Sequence, residues 1–111
     1  MIDNRKALSS GYWIKFVQDS KIQIMNEIGR GASCIVYDGM LYDSANIMHR
    51  VRIKELYPIS LPLGRDGNNN LSCAEEFMDK FALAKQRFRK TYFQGIVFRN
   101  TLGLTNSTIN S

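Results

Sequence analysis

Apolar and polar positions change rhythm along this chain, and each change marks an element. Ile22 and Ile24 alternate with polar neighbours, which predicts a β-strand running to Ile28, where Gly29-Arg30-Gly31 breaks it. Cys34-Ile35-Val36-Tyr37 is β-branched and aromatic, so a second strand is expected, ending at Asp38-Gly39. Two strands around a glycine-containing turn predict an antiparallel hairpin. A third strand is expected over residues 47–55, where His49-Arg50-Val51-Arg52-Ile53-Lys54 alternates imperfectly. Pro58 and Pro62 end it, and the run from Gly64 to Asn70 has the composition of a loop.

The period then lengthens. Phe77, Phe81, Ala84, Phe88 and Tyr92 recur at helical spacing and predict one apolar stripe on a long helix. Ser72 is the expected N-cap, with Glu75 three residues on completing an S-x-x-E capping box. Gly95 is the expected stop. Ile96-Val97-Phe98 reads as a short strand or packed turn. Residues 1–20 form a lead-in whose aromatics, Tyr12, Trp13 and Phe16, are expected to pack on the domain downstream. Residues 21–100 make up that domain, and 101–111 read as a polar, truncated tail. The expected class is α+β: a twisted antiparallel sheet with one long helix packed on it.

Composition narrows the partners. With 44% hydrophobic and 23% charged residues, the 111-residue chain suits one folded domain rather than a disordered segment. A formal net charge of +5 invites a polyanion partner, but the basic residues are dispersed, with no run of five like charges. That dispersion argues against nucleic acid and for solvated positions. Cys34 and Cys73 lack metal-binding spacing and His49 is the sole histidine, so no metal site is expected. Two thiols, no apolar leader and no span of ~20 apolar residues fit a cytoplasmic protein without a membrane partner.

The chemistry concentrates in Ile28-Gly29-Arg30-Gly31-Ala32-Ser33-Cys34-Ile35-Val36. A hairpin turn lying flat over phosphates needs small residues, so that backbone amides reach the oxygens with no side chain between. This stretch resembles the glycine-rich loop of protein kinases, G-x-G-x-x-G-x-V, with Gly29, Gly31 and Val36 in place. Val51-Arg52-Ile53-Lys54 resembles the kinase V-A-I-K strand, and Lys54-Glu55-Leu56-Tyr57-Pro58 resembles the K-E-x-x-P run of bacterial serine/threonine kinases. Hairpin, lysine strand and helix follow the order of a kinase amino-terminal lobe over about residues 20–98. The resemblance implies an ATP-binding lobe in which Ile28, Gly29, Gly31, Ala32, Ser33, Cys34 and Val36 contact the nucleotide. It implies that Lys54 holds the α- and β-phosphates for transfer to a serine or threonine hydroxyl.

Departures from that pattern are equally specific. Cys34 stands at the third glycine. Arg52 stands where alanine usually packs on adenine, and it can swing out, reach the phosphates or fill the adenine pocket. The helix of active kinases pairs a glutamate with the lysine. The nearest F-x-x-E match here is Phe88-Arg89-Lys90-Thr91, so Glu76 becomes the candidate partner and Glu75 belongs to the cap. No H-R-D or D-F-G motif follows Lys54, whose only downstream aspartates are Asp66 and Asp79. The chain alone therefore holds no catalytic base or magnesium ligand, and Mg2+ is implied only for a full-length enzyme. A missing carboxyl-terminal lobe or another protein is the implied partner. The alternative is a non-catalytic, pseudokinase-like interaction module.

Overall fold

The computed structural model describes residues 2–92 and 96–105. Strands β1 (Trp13–Lys15), β2 (Lys21–Arg30), β3 (Cys34–Tyr42) and β4 (Met48–Leu56) follow one another in space. A short ladder of β5 (Gly64–Arg65) and β6 (Leu71–Ser72) precedes helix α1 (Met78–Thr91). The chain then returns through β7 (Ile96–Phe98) and β8 (Leu102–Thr105), with β8 placed between β4 and β7. The result is an α+β fold with a six-stranded antiparallel sheet and, among the described residues, one α-helix.

Strand alternation decides what each face carries. Ile35, Tyr37, Ile53, Val51, Leu102 and Leu104 project to one face and are buried. The lead-in joins this core: Leu8 is buried, and β1 pairs with β2 with Ile14 opposite Ile22. Its aromatics pack on later residues, as expected. Trp13 lies 5.3 Å from Tyr42, and Phe16 meets Phe98 edge-on at 5.1 Å. Lys21 sits 4.7 Å above the Trp13 ring and adds a cation–π contact.

The sequence-based expectations need correction at several points. Asp38-Gly39 does not end β3, which continues to Tyr42. Gly39 is there for clearance: a Cβ would stand 2.7 Å from Ile53 Cδ1 and 2.8 Å from the Gln23 carbonyl oxygen. Asp38 Oδ1 accepts the Asn26 amide at 2.8 Å, beside an irregularity in the β2–β3 register. Nor does the capping box form. Ser72 pairs with Gly64 in the β5–β6 ladder and is not the residue that caps the helical segment. Glu75 lies in a 3-10 turn, Glu75–Phe77, whose N-cap is Ala74 and carries no side-chain cap bond.

The apolar stripe does hold, with Phe81 and Phe88 buried and the Phe88 and Tyr92 rings 4.9 Å apart. The expected stop at Gly95 lies outside the described residues. The expected polar tail instead begins inside the sheet. Thr101, Leu102 and Leu104 are buried, and β8 pairs with β4 along Arg52–Glu55. Gly103 clears space for Tyr92, whose ring would be 2.7–3.0 Å from a Cβ there.

Candidate functional site

Lys54 and Val36 stand opposite each other in the β3–β4 register, so their side chains leave the same face of the sheet. Cys34 pairs with Leu56 on that face. Helix α1 stands across from them, and a cavity of about 520 Å³ opens between helix and strands. Ser33 and Cys34 from the hairpin turn and Lys54 from β4 line it, as do Lys80, Arg87 and Thr91 from α1. The apolar part of its wall comes from Leu56, Leu83, Ala84, Phe88 and Tyr92.

The turn between β2 and β3 is anchored rather than loose. The Gly31 amide donates to the Cys34 carbonyl at 2.8 Å. The Tyr57 amide donates to the Ser33 carbonyl at 2.8 Å, and the Ile59 amide to the Ala32 carbonyl at 2.9 Å. The segment leaving β4 thus ties the turn to the lysine strand. Arg30 is held by Glu27 and by Asp3 at 3.3 Å. The turn's own amides at Ala32 and Ser33 find no backbone acceptor among the described residues, and both positions are exposed. Gly29 and Gly31 are exposed, neither has positive φ, and a Cβ at either would meet nothing within 4 Å.

Among the described residues, the charge lining the cavity is of one sign. Three cationic side chains reach the cavity and no carboxylate lines it among the described residues. No ion pair joins Lys54 to an acid among those residues. Glu76, the candidate partner, is exposed in the 3-10 turn and forms no part of the cavity wall. It lies before α1 begins, whereas the wall facing Lys54 is built from later helical turns. Thr91, at the glutamate place of the F-x-x-E match, does line the cavity, and its hydroxyl donates to the Arg87 carbonyl at 3.0 Å. Burial raises the Cys34 thiol pKa, partly offset by the positive charge of Lys54. Burial likewise lifts the Tyr92 phenol to about 12.

Ser33, Cys34 and Lys54 therefore share one cavity, and Val36 stands beside Lys54 on the same face. Ile28, Gly29 and Gly31 lie outside the cavity wall, on the exposed end of the hairpin. Arg52 is exposed and pairs with Asp38 and Thr105 in the ladders.

The sequence reads Lys80 and Arg87 as solvated helix positions, and both are exposed; what that reading did not show is that they also border the cavity. Their spacing with Ala84 and Thr91 places all four along one helical strip, which was the available signal. On the opposite face, Glu55 is buried to 2% exposure and accepts from the two terminal guanidinium nitrogens of Arg65 at 2.8 Å. The Tyr37 hydroxyl donates to the same carboxylate at 2.7 Å. The Glu55 of the K-E-x-x-P run is thus a structural anchor.

No family model, no curated protein and no solved structure matches this chain. No described helix is long and apolar enough to cross a membrane.

Proposed function

We propose that this chain is the ATP-holding lobe of a serine/threonine protein kinase. The observation that carries the reading is the sharing of one cavity by Ser33 of the glycine-containing turn, Cys34 at the start of β3 and Lys54 of β4. The order of hairpin, lysine strand and helix agrees with it. So do the two glycines: among the described residues nothing requires Gly29 or Gly31, as they have neither positive φ nor a close neighbour. Their smallness then serves a group that approaches from outside, and the exposed Ala32 and Ser33 amides are donors for its oxygens.

In this reading the turn lies over the phosphates, Lys54 orients them and Val36 covers the adenine. The chain's own part is binding and orientation. A base and magnesium ligands come from a second lobe, because the cavity wall offers no carboxylate among the described residues. The γ-phosphoryl group passes to a protein serine or threonine in the assembled, cytoplasmic enzyme. A non-catalytic, pseudokinase-like lobe is the second reading, favoured by the lack of an acid paired with Lys54 among the described residues.

Calorimetric titration with ATP tests the proposal. Half a cleft should bind weakly, with Kd on the order of 1 mM, and Lys54→Met should weaken it at least about tenfold, or about 1.4 kcal/mol. Unfolding of Lys54→Met should match the wild type. ATP affinity unchanged by Lys54→Met, or no binding at millimolar ATP, would overturn the nucleotide-lobe reading for this chain.

A further inference from the structure

We infer that α1 makes this cavity a polyphosphate site, in which Lys80 and Arg87 join Lys54 in holding a chain of phosphoryl groups. The inference deepens the nucleotide reading, on which it rests, by naming the helix, rather than the strand alone, as part of the anion's seat. Lys80 and Arg87 are seven residues apart, which on an α-helix separates them by about 10 Å along the axis. Both line the cavity opposite Lys54. An extended polyanion matches cations whose backbone positions are spread along the helix in this way, since it can touch each in turn. Ser33, Ser60 and Thr91 bring hydroxyl groups to the same wall.

Charge balance points the same way. The glutamate expected across from Lys54 is replaced by Thr91, and that helical strip carries two further cations instead. The buried Glu55, whose charge is met by Arg65, projects to the other face of the sheet. Lys54 is half-buried while Lys80 and Arg87 are exposed at the cavity rim, so water screens their mutual repulsion, and a ligand of high negative charge density gains by meeting all three. A triphosphate tail supplies that charge in a narrow, linear form. Arg guanidinium and Lys ammonium groups are suited to phosphate oxygens, the former as a fork and the latter as a point charge.

Inorganic tripolyphosphate is the direct probe, compared with orthophosphate and ATP by calorimetry. The wild type should bind tripolyphosphate more tightly than orthophosphate, and added salt should weaken the binding. Lys80→Gln/Arg87→Gln should lower tripolyphosphate and ATP affinity about tenfold, equivalent to about 1.4 kcal/mol. Arg89→Gln/Lys90→Gln removes the same charge from exposed positions of α1 outside the cavity wall, and should leave both affinities within about twofold. Thermal unfolding of each variant verifies that the fold is kept. Equal losses in the two double variants, or no loss in the first, would overturn the inference. ATP binding that still depends on Lys54 would then leave the nucleotide-lobe reading standing. Conversely, ATP no tighter than tripolyphosphate, with both lost in Lys80→Gln/Arg87→Gln, would support the anion site and count against the nucleotide lobe.

Discussion

Lys54 and Glu55 are neighbours in β4, yet they meet opposite circumstances. Glu55 turns into the buried face, where Arg65 and Tyr37 fill its oxygens at 2.7–2.8 Å. Lys54 turns into a cavity whose other charged groups are also cationic. The first charge is satisfied by the chain and holds the fold together. The second meets no carboxylate among the described residues, and the proposed function assigns it to a phosphate ligand. One strand thus separates a satisfied charge from a cavity-lining one through the two-residue period of its side chains.

The buried side should be the more costly to disturb. Arg65→Ala leaves the Glu55 carboxylate buried without its partner and should destabilise the domain by about 3–5 kcal/mol, read by urea unfolding. A loss below about 1 kcal/mol would mean water reaches Glu55 and would blur the contrast between the faces.

Two glycines sharpen the comparison by steric means. Gly39→Ala puts a methyl against a backbone carbonyl and Ile53, and should cost about 3 kcal/mol. Gly103→Ala, on the cavity face, first meets the far end of the Tyr92 side chain, which yields more readily than a backbone carbonyl, and should cost about 1 kcal/mol. Equal costs in chemical denaturation would show that the Tyr92 ring is packed as tightly as the core.

Alkaline titration should reveal a smaller effect shared by both faces. Burial raises the Tyr37 phenol, aided by the nearby Glu55 charge, and raises Tyr92 to about 12. The folded state therefore favours the protonated phenols. Their contribution is fully present below the unfolded tyrosine pKa of about 10 and falls away as pH rises through the folded values. Tyr92→Phe should retain more of its stability above that pH than the wild type does. Thermal unfolding across the alkaline range measures this, and identical profiles would contradict it.

The smallest effect on stability belongs to the exposed turn. Gly31→Ala should change unfolding by no more than about 0.5 kcal/mol, because its Cβ meets open space. A clear loss would give this glycine a structural reason and remove one support for an outside ligand.

How much could be read from the sequence depended on locality. The hairpin needed only alternation and a turn, and it formed, although β2 runs on through Gly29 to Arg30 instead of ending at Ile28. The helix stripe through Phe81 and Phe88 needed only a period. Ser72 and Glu75 spelled a local cap, but pairing of Ser72 with Gly64 took the serine elsewhere. Leu102-Gly103-Leu104 alternates too briefly to announce a strand, and its glycine is explained only by Tyr92 packing above it. The Glu55–Arg65 pair depends on where the β5–β6 ladder lands, which no short pattern encodes. Lys80 and Arg87 were visible as a helical strip, but only the tertiary arrangement turns that strip toward Lys54.

An amide-resolved ATP titration by NMR probes the division between the faces most directly. Shifts should gather at Gly29 to Val36, at Lys54 and along the inner strip of α1 at Lys80 and Arg87, while Ile53, Arg65 and Tyr37 stay nearly still. Shifts centred on the Glu55 face, or none at millimolar ATP, would contradict the assignment of binding to the Lys54 side.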